Sequence, residues 1–247
     1  MKPSHIARTR GFTLLETVIA IGVLAVLLTG FMVVFTPAAE GIRKSINVQQ
    51  ADRLASALEQ ELVTLHGAKE TTDFKTGFNK AYDWIAESSK KENNALMVYQ
   101  YRGELGGTLR TNDKTPEPVV SLKNKLPGKD YIVIPMVRRK SDVNFSKDLP
   151  AIEGPVYMVV CSQLGFDGGE LVVGDGGKIV DPKLASSKMK GRPSVAVLDY
   201  PEAVIAFSAD FYQLSGKTDS YFSSKAFKDK VSTPKNPVFT RNLAVRR

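Results

Sequence analysis

The 24 residues from Phe12 to Phe35 carry one charge, Glu16, in an otherwise uncharged apolar run, and no other stretch limits the fold as strongly. As an α-helix the run would be about 36 Å long, enough for a hydrocarbon layer of about 30 Å. A cleavable secretory signal has a shorter apolar region, about 7 to 15 residues. Pro37, in the "TPAA" that follows, fits a signal-peptidase site poorly. The run therefore reads as a membrane-spanning helix. Lys2, Arg8 and Arg10 precede it with no acidic residue among them, whereas Glu40, Arg43 and Lys44 follow it. The positive-inside rule then places the N-terminus in the cytoplasm and the rest of the chain across the membrane.

A carboxylate at mid-bilayer is penalised by about 2.5 to 3.5 kcal/mol, and less near an end. Glu16 lies near the start of the run, so two readings stand side by side. Its side chain reaches the headgroups, or it meets a positive charge inside a helix bundle. Composition alone does not separate them.

The flanking residues add to this. A basic leader, then Gly11-Phe12-Thr13-Leu14-Leu15-Glu16 and a long apolar helix resemble the N-terminus of type IV pilins and pseudopilins. The resemblance covers about the first 40 residues. It implies that a prepilin peptidase cuts between Gly11 and Phe12 and that Phe12 is then N-methylated. Glu16, fifth after the cut, would neutralise the terminal amine of a neighbouring subunit in a filament. The implied partners are the peptidase, other pilin or pseudopilin subunits and inner-membrane lipid. The implied location is the bacterial inner membrane, single-pass, with the C-terminal part periplasmic or extracytoplasmic.

Beyond the run, Pro37 lacks a backbone donor and Gly41 is a weak helix former, so Thr36–Gly41 is expected to kink or unwind. From Ile42 onward, Ile46, Ala51, Leu54, Ala55, Leu58, Leu62 and Leu65 recur at spacings of mostly three and four. That is an amphipathic stalk helix with one face to bury, and a short coiled coil is the alternative. Gly67 is its expected stop, after His66, which can cap the last carbonyls.

After Gly67 the pattern changes to short runs rich in Val, Ile, Tyr and Phe, bounded by Gly, Pro, Asp and Asn. Strands are expected at 95–103, 130–139, 154–164, 169–175, 193–200 and 202–214, the last with a possible helical opening, and an edge strand at 236–247. One short helix is expected around 80–88. Long loops are expected at 111–129, 141–155 and 181–193. The fold class is α+β: a long N-terminal helix packed on a mainly antiparallel sheet, as the pilin resemblance also implies. The organisation reads as leader 1–11, membrane helix 12–35, stalk 36–67 and globular head 68–247, the last large enough for its own core.

Candidate chemistry in the head is sparse. Asp167, Glu170, Asp175 and Asp181 alternate with glycines in "FDGGELVVGDGGKIVD" and are weak Ca²⁺ candidates; no EF-hand spacing is present, and two tight hairpin turns explain the glycines. Cys161, the single cysteine, lies in an apolar stretch and reads as a buried, inert thiol. No histidine triad, zinc set or nucleophile elbow is found, so an enzyme and a cofactor are not expected.

Removing Lys2, Arg8 and Arg10 from the net charge of +8 leaves +5, a mild bias that fits solubility better than nucleic-acid binding. The basic runs Arg138-Arg139-Lys140, Lys188/Lys190/Arg192 and Arg246-Arg247 read as solvated faces. The expected function is a structural subunit, a minor one by the bulk of its head, of a type IV pilus or type II secretion pseudopilus. The rival readings are a single-span anchored domain that never polymerises and a DNA-binding pilin.

Overall fold

The computed structural model describes residues 13–65, 74–89, 91–167, 169–183 and 189–247. It divides into two compact units, 1–46 and 47–247. One helix, α1 (Leu14–Val63), contributes to both. In the first unit α1 exposes nearly all of its side chains. It is the one helix among the described residues that is long and apolar enough to cross a membrane.

The expected unwinding at Thr36–Gly41 is absent: helical geometry continues through Pro37 and Gly41. Pro37 costs one bond, the one its N–H would give to the Val33 carbonyl. The Thr36 hydroxyl donates to the Met32 carbonyl at 2.9 Å, and intact turns on both sides carry the helix across the gap. α1 ends at Val63, before the expected stop, and His66 and Gly67 lie outside the described residues.

The second unit holds the head. After α1 come α2 (Gly77–Glu87), β1 (Leu96–Glu104), β2 (Tyr131–Arg139) and α3 (Val143–Asp148). Then follow β3 (Ile152–Asp167), β4 (Glu170–Gly176), β5 (Val204–Gln213), α4 (Asp219–Phe222), α5 (Lys225–Ser232) and β6 (Phe239–Arg246). The strands form one antiparallel sheet in the order β2-β1-β3-β5-β6, with β4 added to the far end of β3. The architecture is α+β and pilin-like, a long N-terminal helix packed on an antiparallel sheet.

Each sheet face has its own core. On one, Ala51, Leu54, Ala55, Leu58 and Leu62 of α1 and Phe78, Trp84 and Ile85 of α2 meet Val98, Tyr157, Val159, Phe207 and Phe211. Each fully buried leucine there contributes about 2 kcal/mol. On the other, Phe145, Phe222, Phe227 and Val231 of α3, α4 and α5 cover Tyr99, Met158 and Tyr212. The opposite assignments follow from strand alternation: odd residues of β3 face α1, even ones face α5.

Six of the seven expected strands are present, and β5 is a strand throughout. The seventh, 193–200, is not: it crosses the α1-side core, giving Val195 and Val197 to the packing; Val195 N–H donates to the Ile179 carbonyl, and Asp199 N–H to the Ala196 carbonyl closes a turn within the segment. The prolines at 193 and 201 frame it and suit a crossing segment better than a ladder. Helices α3, α4 and α5 were not expected; the first lies within the loop expected at 141–155. At four to eight residues they are too short to show a helical period.

β2 is an edge strand with a proline inside it. Lys140 N–H donates to the Ala95 carbonyl and Leu105 N–H to the Asp130 carbonyl, which fixes the alternation of the ladder. Pro135, opposite Gln100, therefore falls at a position whose nitrogen points away from β1, so the ladder loses nothing.

Candidate functional site

The start of α1 is a reciprocal cap. Thr13 is the last non-helical residue, and its Oγ1 accepts from the Glu16 N–H at 3.3 Å. The Glu16 carboxylate reaches back and accepts from the Thr13 N–H and from the Thr13 hydroxyl through Oε2, both at 2.9 Å. Thr13-Leu14-Leu15-Glu16 is thus a capping box, satisfying two amides that the first helical turn leaves open. The T-x-x-E spacing before an apolar run was visible in the sequence, yet Thr13 was not singled out as a functional residue. Thr13→Val is expected to weaken the first turn by about 1 kcal/mol. Faster amide exchange at Leu15 and Glu16 in detergent, with the remainder of α1 unchanged, is the measurement.

The other hydroxyls of the apolar segment are treated alike. Thr17, Thr29 and Thr36 donate to the carbonyls of Thr13, Ala25 and Met32 at 3.2, 2.8 and 2.9 Å. Each side chain with hydrogen-bonding capacity between Thr13 and Thr36 is therefore satisfied within the helix itself, as a lipid or protein bundle without water requires. Gly11 and Phe12 lie outside the described residues.

Of the four acidic candidates, the Asp167 side chain lies outside the described part of the structure, and the other three do not form a cluster. Glu170 opens β4 and is exposed. The Asp175 carboxylate accepts from the Gly191 N–H at 2.9 Å and from Lys178 Nζ at 3.2 Å, and the Gly191 bond is the main cause holding it below the usual carboxylate range. Asp181 accepts from the Lys183 N–H at 2.8 Å. These bonds hold Lys178, Lys183 and Gly191 in place. Among the described residues no three His, Cys, Asp or Glu side chains come together as metal ligands. Cys161 is buried on the α1 side of β3, and burial pushes its thiol up to about 12.

The basic run at 138–140 is not the solvated face expected of it. Arg138 points into the core behind β2, where Nη2 pairs with Asp113 at 2.6 Å, Nη1 with Asp142 at 2.9 Å and Nε with Asp148 at 3.2 Å. Arg110 pairs with the other oxygen of Asp148 at 2.5 Å, and the Tyr99 hydroxyl donates to Asp148 at 2.6 Å. Arg139, on the opposite face, pairs with Asp83 at 2.7 Å and lies over the Trp84 ring. Burial alone would raise Asp113, but the Arg138 guanidinium and bonds from Thr115 outweigh it and hold the carboxyl at about 2. A depressed carboxylate gives stability that is present above its ordinary pKa of 3.8 and lost as pH falls through about 2. A loss of about 2 kcal/mol between pH 5 and pH 2, absent in Asp113→Asn, is expected from urea titrations.

No curated protein and no solved structure matches the chain significantly. The capped, fully exposed apolar helix fits a membrane-anchored protein. Residues 6–32, which contain Gly11, Phe12, Thr13 and Glu16, match the prokaryotic N-terminal methylation motif, so the chain carries the type IV pilin-like signature at the head of α1.

Proposed function

We propose that the chain is a structural subunit, and a minor one, of a type IV pilus or type II secretion pseudopilus. The observation that carries this reading is the capped Glu16 within the methylation motif, at the start of an apolar helix that nothing in its own unit covers. The precursor enters the inner membrane with residues 1–11 in the cytoplasm, as the basic leader favours. Prepilin peptidase cuts between Gly11 and Phe12, and the new amine of Phe12 is methylated. Residues 12–35 then serve as membrane and filament helix, 36–67 as stalk and 68–247 as an extracytoplasmic head.

Glu16 spends Oε2 on its own helix start, but an ionised carboxylate has about four acceptor positions. A neighbouring subunit's ammonium can therefore bind without opening the cap. In a low-dielectric bundle such a pair attracts far more strongly than in water, and leaving either charge alone is costly. Docking in one axial register is favoured over slipped alternatives. The role is structural rather than enzymatic. A head of about 180 residues is bulky for the repeating unit of a thin fibre, which supports a minor place.

Glu16→Ala is expected to leave cleavage intact and to lower incorporation into sheared filaments at least about tenfold, the loss of one buried pair. Wild-type incorporation would remove the assembly role. Mass spectrometry of the membrane-extracted chain tests the class itself: methylated Phe12 at the N-terminus supports it, and intact Met1 supports a plain anchor.

A further inference from the structure

The two edges of the sheet are built differently. On β2 the nitrogen of Pro135 faces outward, and bonds from Gly128 N–H and Asp142 N–H occupy the outward carbonyls of Tyr131 and Arg139. On β6, Arg247 N–H donates to the Ala203 carbonyl at 2.7 Å. β5 and β6 are in register from Val204–Arg246 to Phe211–Phe239, so that bond turns the odd residues of β6 toward β5. The amides and carbonyls of Thr240, Asn242, Ala244 and Arg246 therefore point away from the sheet. Among the described residues none of these groups has a hydrogen-bond partner. No proline lies in β6 and its register is unbroken. A row of unpaired backbone groups of this kind takes an extended backbone as its partner.

We propose that β6 receives an extended segment of another protein by strand addition, and that this segment carries acidic side chains. The charges and the opposite edge select the occupant. β6 and the residue after it carry Arg241, Arg246 and Arg247 and no acidic side chain. Two neighbouring carboxylates are engaged: Asp52 pairs with Arg241, and Asp210 accepts from the Thr240 hydroxyl at 2.6 Å. Arg247 lies over the Phe78 ring and donates to the Val197 and Tyr200 carbonyls. Arg246 is exposed, and no ion pair among the described residues engages it. A second copy of this chain is a poor occupant at either of its edges. Its β2 offers a row that Pro135 breaks. Its β6 brings like charge: every antiparallel register that pairs more than the strand ends sets Arg241 opposite or diagonal to Arg241 or Arg247 of that copy. A twofold parallel pairing sets Arg246 beside Arg247 of that copy. An acidic strand meets neither obstacle. Its alternate side chains lie on the same face as Thr240, Asn242, Ala244 and Arg246, where a carboxylate finds the unengaged guanidinium. The site belongs to the head alone and is independent of processing at the N-terminus.

The probe is a synthetic peptide the length of β6, 8 residues, that alternates glutamate with valine and is N-methylated along one edge so that it cannot stack on itself. Hydrogen exchange of the full-length chain in detergent reads the site directly. At millimolar peptide, exchange of the Thr240, Asn242, Ala244 and Arg246 amides is expected to slow about tenfold, whereas Arg241, Leu243 and Val245, already bonded to β5, change little. Lysine in place of glutamate should weaken binding at least about threefold. Ala244→Pro removes one outward donor, as Pro135 does in β2, and is expected to abolish the slowing with the urea midpoint unchanged. Arg246→Glu leaves the backbone row whole and should reverse the preference between the two peptides. No slowing with either peptide, slowing that ignores the exchange of glutamate for lysine, full binding to a folded Ala244→Pro chain, or an Arg246→Glu chain that still prefers the glutamate peptide overturns the proposal.

Discussion

Asp148→Ala is expected to destabilise the head by about 3 to 5 kcal/mol, the cost of breaking a buried ion pair from one side. Asp148 is fully buried at the end of α3, and one carboxylate there serves three donors: Tyr99, Arg110 and Arg138. Removing it takes a carboxylate from two guanidinium groups at a buried site, and Arg110 already holds a buried Nη1 without a partner. Asp142 and Asp113 still neutralise Arg138, but among the described carboxylates Arg110 keeps only Glu117, which is half exposed, beside its contact with the Tyr101 ring. The main casualty is therefore the long β1–β2 connection, which Arg110 pins to the core. Urea unfolding of the full chain in detergent measures the loss, and proteolysis between Leu105 and Lys129 should appear first. A loss under about 1 kcal/mol would mean that water replaces the carboxylate and that the cluster is not an anchor.

Lys80→Met is expected to cost about 3 kcal/mol. Lys80 is wholly buried in α2, and its ammonium donates to the Glu61 carbonyl at 3.1 Å, the Thr64 carbonyl at 2.7 Å and the Glu61 carboxylate at 2.7 Å. It also lies 4.5 Å from the centre of the Trp84 ring. These groups close the C-terminal end of α1, where carbonyls lack amide partners and the helix dipole favours a cation. Methionine keeps the length of the stem and loses every one of those bonds, so the change reads the polar contribution with little cavity cost. A wild-type urea midpoint would show that the end of α1 is stabilised by packing alone.

The two sites explain what the sequence could disclose. A membrane span and its processing motif are local: length, hydropathy and a six-residue pattern carry them, and Glu16 was conspicuous because a charge there has to be accounted for. Strands were legible where runs rich in Val, Ile, Tyr and Phe lay between Gly, Pro, Asp and Asn, 193–200 excepted. The Arg138 cluster was not legible, because Arg110 and Asp113 come from the β1–β2 connection, Asp142 and Asp148 from the β2–β3 connection, and Arg138 from the strand between. Nothing near Arg138 distinguishes a buried guanidinium from a solvated one until β2 is paired and its alternation fixed. Lys80 was hidden for the same reason: a lysine that caps another helix looks like any lysine on an amphipathic one. The segment 193–200 misled because β-branched residues suit a crossing strap over a core as well as a paired strand.

Pro135 has a consequence for life in a crowd. In the anchored state proposed above, heads crowded at a membrane would meet one another, and an unguarded strand would invite the next molecule to zip alongside and seed insoluble stacks. With its nitrogen turned outward, Pro135 places a gap in the donor row of β2 midway along that flank, so an incoming strand finds no continuous template. Solubility at high local density is thus written into a residue that takes no part in the core.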